Sequence, residues 1–98
     1  MIDGVYNVQV SGAIGNKSAK VGLRTEGDTV AIDLDAPMLG KRQAQGALNG
    51  NAFTASGVYK IPLLGKIEYD MEGEVEGDEL RATIHTSKGD LNIVGSRV

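Results

Sequence analysis

An all-β chain, closed as a single eight-stranded antiparallel up-and-down β-barrel spanning residues 1–98, is the fold this sequence predicts. Three observations carry the expectation. Apolar and polar residues alternate along one segment after another, and no stretch of a dozen residues places apolar side chains at helical spacing. Fourteen glycines against two prolines recur between those segments, where positive φ closes a turn. With about 12 residues per strand-plus-turn, no second sheet or helix is left to cover an apolar face, so the sheet must close on itself.

Taken in order, residues 4–10 set Tyr6, Val8 and Val10 against Asn7 and Gln9. Residues 19–25 place Val21 and Leu23 opposite Lys20 and Arg24, and residues 29–35 place Val30, Ile32 and Leu34 opposite Asp33 and Asp35. Two weaker strands follow over residues 43–49 and 52–59, with inner faces at Ala44, Gly46, Leu48 and at Phe53, Ala55, Tyr59. Residues 66–75 alternate most clearly: Ile67, Tyr69, Met71 and Val75 on one side, Glu68, Asp70, Glu72 and Glu74 on the other. Residues 79–86 contribute Leu80, Ala82 and Ile84, and residues 90–98 contribute Leu91 and Ile93.

The connections are of two kinds. Gly27, Gly50, Gly77 and Gly89 each centre a tight turn, whereas residues 11–18, 36–42 and 60–65 read as longer loops. In a meander, successive connections alternate between the two ends of the sheet, so all three longer loops gather on one rim. Two of them carry the near-repeats PMLGK (37–41) and PLLGK (62–66), and the third carries the degenerate AIGNK (13–17). Met38, Leu39, Leu63 and Leu64 are therefore candidate rim residues. Three readings stay open for them: a portal to the barrel, an interaction surface, or a plug folded into the core.

Gly4-Val5-Tyr6 at the first strand and Gly95-Ser96-Arg97 at the last resemble the calycin signature of lipocalins and fatty-acid-binding proteins. In those, a Gly-x-Trp on the first strand is covered by an arginine from the last; here tyrosine stands for tryptophan, keeping the cation–π logic. The run from residue 68 to 97, with the Pro-apolar loops, also resembles a group of uncharacterised bacterial lipocalin-like domains. The resemblance implies a β-barrel with a lipophilic ligand and a barrel-closing pair of Tyr6 and Arg97. It carries no catalytic residue with it.

Composition narrows the function classes. A net charge of −3 and a pI near 5.0 leave no basic footprint for nucleic acid. Scattered cations give an anionic membrane little purchase. The chain has no cysteine, hence neither disulfides nor thiolate metal sites. Met1-Ile2-Asp3-Gly4 shows neither the basic nor the apolar part of a signal peptide, so a cytoplasmic location is expected.

Catalytic chemistry finds few agents. His85, the single histidine, falls on an outward face and reads as a surface residue without partners for metal or acid–base work. The carboxylate row from Glu68 to Glu74 is spaced at about 7 Å along a strand, too far apart for one metal, and reads as a solvated face with Arg81 across from it. No serine has a base placed beside it. Neither a catalytic residue, a metal nor a cofactor is therefore expected.

The expected function is non-catalytic binding of a small lipophilic ligand inside the barrel, through Tyr6, Phe53, Tyr59, Tyr69 and Met71, entered past Met38, Leu39, Leu63 and Leu64. The alternative is an interaction module, a homo-oligomer included, that uses the same rim. A third class is a cofactor-free isomerase or cyclase.

Overall fold

Eight strands and the turns between them make up the computed structural model: β1 Gly4–Gly12, β2 Gly15–Glu26, β3 Thr29–Ala36, β4 Gly40–Asn49, β5 Ala52–Ile61, β6 Gly65–Glu76, β7 Glu79–Thr86 and β8 Gly89–Arg97. The structure describes residues 2–12, 15–36, 40–61, 65–87 and 89–98, apart from the side chains of Tyr59 and Ile61. Each strand pairs antiparallel with the next and β1 pairs with β8, so the sheet closes into an up-and-down barrel. Closure is how one apolar face is buried without a second layer.

Alternation sets the register. Tyr6, Val8 and Val10 oppose Val21, Ala19 and Lys17 on β2 and Arg97, Gly95 and Ile93 on β8, so inward positions meet inward positions around the wall. The core they form runs from Ile2 and Tyr6 through Val30, Phe53, Val75 and Leu80 to Met71, Ile84 and Ile93.

Three tight turns close one end. The carbonyls of Asp28, Asn51 and Asp78, one in each turn, accept hydrogen bonds from the backbone N–H of Leu48, Val75 and Arg97 at 2.8, 3.0 and 2.7 Å. Each hairpin is thereby tied at its tip to the next hairpin along the wall. These bonds satisfy carbonyls that would otherwise stand at an open rim.

At the opposite end the structure corrects the sequence reading. Within the expected long loops over 11–18, 36–42 and 60–65, every described residue is strand: the ladders continue out to Gly12↔Gly15, Ala36↔Gly40 and Ile61↔Gly65. The physical reason lies in Gly15, Gly40 and Gly65, which take φ of +90°, +68° and +83°. That left-handed backbone, which glycine adopts at little cost, lets β2, β4 and β6 begin at these positions. Parity still places these connections on one rim together with the β7–β8 connection. Met38, Leu39, Leu63 and Leu64 lie outside the described residues.

Candidate functional site

The barrel has a sealed end and an open seam, and the difference begins with residue size. At the tight-turn end the inward side chains are bulky: Ile2, Tyr6, Leu23, Val30, Phe53, Val75 and Leu80 are each at most 4% exposed. Toward the other end the lining shrinks to Ala19, Ala36, Ala44, Ala55 and Gly57 among larger neighbours. There Val10, Ala19, Leu34, Ala36, Tyr69, Met71 and Ile84 are 7–9% exposed. Exposure of these inward side chains is thus slightly higher toward that end, Ile93 beside Val10 being an exception at 2%.

The N-terminal residues complete the seal. Ile2 lies in the core cluster, held by a hydrogen bond at its own carbonyl and by those of the next residue, Asp3. The Tyr6 hydroxyl donates to the Ile2 carbonyl at 2.7 Å and accepts from Arg97 Nη2 at 2.8 Å and Nε at 3.3 Å. Arg97 also stands over the Tyr6 ring, 5.3 Å from its centroid, a cation–π geometry. Gly4, with φ +146°, lets the chain turn in beneath Arg97, whose side chain would touch any Cβ there at 3.3 Å. Asp3 accepts from the backbone N–H of Thr25 at 2.9 Å and from its hydroxyl at 2.7 Å. Those bonds hold the Asp3 carboxyl below its ordinary value, the backbone bond first. Sequence reasoning missed Ile2 and Asp3, because residues ahead of the first alternating strand carry no periodic signal.

Aromatic rings occupy the glycine positions of the wall. Tyr69 faces Gly57 across the β5–β6 ladder, where a Cβ would lie 2.8 Å from its hydroxyl oxygen. Phe53 faces Gly73, where a Cβ would lie 2.6 Å from the ring. Each ring covers a strand glycine that would otherwise leave a hole. Of the residues expected to line a site, Tyr69 and Met71 fall together on the inner face of β6 in the looser half. Tyr6 and Phe53 fall in the sealed half. The side chain of Tyr59 lies outside the described residues.

Between β4 and β5 the wall opens. Their ladder comprises only Gly46↔Ala55, Ala47↔Thr54, Leu48↔Phe53 and Asn49↔Ala52. Beyond it, residues 40–45 pair with β3 alone and residues 56–61 with β6 alone. β4 has no fully buried residue, and its inner positions Ala44, Gly46 and Leu48 are half-buried. Gly46 marks the corner: a Cβ there would run into the Thr54 carbonyl and lie 3.0 Å from the Ala55 methyl.

The outer wall is mainly polar, with Val5, Val58 and Val94 exposed among its charged and amide side chains. Gln9, Lys20, Arg24, Asp33, Glu72, Glu74 and Arg81 are exposed, whereas a membrane-spanning barrel presents an apolar band outward. His85 departs from the sequence reading, which gave it no partners. Its Nδ1 lies 3.2 Å from Asp90 and its Nε2 3.4 Å from Glu72, and these bonds raise its pKa above the usual 6.5, the Asp90 bond foremost. The partners come from β6 and β8, which flank β7, so only the register reveals them. Arg81 faces Glu74 across the ladder, and its ion pair is made with Glu79 at 3.6 Å. Among the described residues the buried side chains that carry a polar atom are Tyr6 and Tyr69.

No protein-family model matches the chain, and no curated protein matches it. Solved structures do. A redesigned β-barrel, mFAP1, bound to DFHBI, superposes with a TM-score of 0.74 at 16% identity, covering 98% of this chain and 94% of that one. A second redesigned barrel, b11L5F_LGL, gives 0.68 at 13% identity over 99% and 91%. A candidate outer membrane protein of Bacteroides fragilis NCTC 9343 gives 0.60 at 17% identity, and this chain spans about half of its length (99% and 51%). At such identities the similarity is one of fold: a small closed eight-stranded antiparallel β-barrel.

Proposed function

We propose that this protein is a lipocalin-like binding barrel that holds a small apolar molecule in the looser half of its interior. One observation carries the reading: bulky side chains, Ile2 and the Tyr6–Arg97 pair fill one end, while small residues and an unzipped β4–β5 ladder leave the other end less filled. Tyr69 and Met71 are the contacts we assign to the ligand, with Ala44 and Ala55 beside them at the seam. Apolar burial supplies the affinity, and the Tyr69 hydroxyl supplies the polar contact such pockets use to orient a guest. A redesigned barrel of the same fold that is bound to DFHBI supports the reading by showing that a scaffold of this size accepts a guest.

The test is a filled interior. Native mass spectrometry of freshly purified protein should show a co-purifying lipophile. Ala44→Leu, which adds bulk on the inner face, should weaken binding of an apolar fluorescent probe roughly tenfold. Gln45→Leu, one residue along and facing out, should leave it unchanged. Equal binding by both variants, or no binding by the parent protein, would overturn the proposal.

A further inference from the structure

The barrel is built from two equivalent halves, and the equivalence does not depend on an interior ligand. Gly15, Gly27 and Gly46 in the first half recur as Gly65, Gly77 and Gly95 in the second, 50, 50 and 49 residues later. The backbone agrees: φ is +90° and +83° at Gly15 and Gly65, and +60° at both Gly27 and Gly77. A Cβ at Gly46 would run into the Thr54 carbonyl of the next strand, and one at Gly95 would run into that of Asn7. The two seams match in register, Gly46↔Ala55 and Leu48↔Phe53 against Gly95↔Val8 and Arg97↔Tyr6. The bonds at the tight-turn end match as well, and each stays within its half. Leu48 reaches Asp28 and Thr25 reaches Asp3 in residues 2–49; Arg97 reaches Asp78 and Val75 reaches Asn51 in residues 51–98.

We propose that two copies of this chain exchange halves about the Gly50–Asn51 turn, so that β1–β4 of one copy closes a barrel with β5–β8 of the other. Wherever the chain opens, such an exchange must break the β8–β1 ladder, which holds seven register pairs. Opening at Gly50 breaks only four more, whereas the ladders closed by Gly27 and Gly77 hold seven and eight. Contacts within each half persist, contacts between halves re-form across the two copies, and only the turn changes. The turn then gains partners. The register runs Leu48↔Phe53 and Asn49↔Ala52, so a straightened hinge sets Gly50 of one copy opposite Asn51 of the other. One continuous antiparallel ladder from Gly46 to Ala55 replaces two short ladders that end in turns. A two-residue connection folds back only through the positive φ of Gly50, +64°, and straightens for any residue that prefers extended backbone. Each barrel interior then takes Ala44 from one copy and Tyr69 and Met71 from the other.

The full chain with Asn7→Cys and Ser96→Cys reports the exchange, since these exposed positions are directly opposite across β8–β1 and the chain has no cysteine of its own. It is held reduced and concentrated near its urea midpoint, returned to buffer, separated by size and oxidised. A dimer is expected, and its chains should stay linked in denaturant without reductant, because each disulfide then joins β8 of one copy to β1 of the other. The monomer fraction should yield single chains closed on themselves. Gly50→Val in the same background should raise the dimer fraction at least about tenfold at equal concentration. Gly27→Val and Gly77→Val remove glycine from the same turn geometry and should lower stability without raising the dimer fraction. A chain that stays monomeric throughout, a dimer whose chains separate in denaturant, or equal dimer fractions from all three valine variants would overturn the proposal. Should Gly50→Val not fold, the cysteine pair alone decides it.

Discussion

At the scale of single residues, Tyr6 serves the seal more than any open site. Its hydroxyl joins Ile2 to Arg97, so Tyr6→Phe leaves the Ile2 carbonyl without its donor and should cost about 1–2 kcal/mol of stability in urea unfolding. His85 gives a prediction with a sign. Asp90 and Glu72 favour its charged form in the folded state, so its folded pKa lies above its unfolded value. The stability it adds is fully present below the ordinary imidazole value and is lost as pH rises through the raised one. Asp3 is the opposite case: its carboxyl is held low, so its contribution is present above the ordinary carboxylate value and disappears as pH falls through the depressed one. His85→Gln should therefore flatten the decline in stability on the alkaline side while leaving the acid limb intact, as read from urea midpoints across pH. The inward identities of Tyr69 and Met71 were legible from alternation. The partners of His85 were not, because a side-chain contact across strands depends on a register that spacing alone does not fix.

At the scale of elements, strand number, order and facing were legible, since period-two alternation and glycine turns are local signals. Strand length was less so. Proline and paired apolar residues at 37–39 and 62–64 look like loop composition, yet the hydrogen-bonded ladders reach Ala36 and Gly40 on either side of the first and Ile61 and Gly65 on either side of the second. The β4–β5 seam had only a faint signature, the concentration of Ala44, Gly46, Ala55 and Gly57 on two adjacent strands. It makes a clear prediction for amide exchange: within residues 40–45 and 56–61, the alternate amides that face the seam rather than β3 or β6 should exchange well ahead of those in residues 46–49 and 52–55, where the ladder is intact. Uniform protection along both strands would mean that the seam is closed in solution. Gly95 tests the wall elsewhere, because a Cβ there would press on the Asn7 carbonyl and Val8. Gly95→Ala should destabilise by about 1–3 kcal/mol, which a shift in the urea midpoint would report.

Across the whole molecule, size and charge are both graded. Bulky residues fill the tight-turn end and small ones line the other, while the acid-free third of the chain holds both strands of the open seam. Composition alone conceals the second gradient: the topology sets Lys60 and Lys66 side by side on β5 and β6, with Glu68 opposite Val58 and Asp35 opposite Lys41 on the strands that flank the seam. The first gradient was hidden because alternation reports which face a residue occupies and not how well the space between faces is filled. Methyl-labelled methionine NMR tests the central claim most directly, since Met71 lies on the inner wall of the looser half. Titration with an apolar probe such as anilinonaphthalene sulfonate should shift the Met71 methyl signal saturably at one equivalent while the Val30 amide, at the sealed end, stays still. A Met71 signal indifferent to the probe while surface amides move would contradict it.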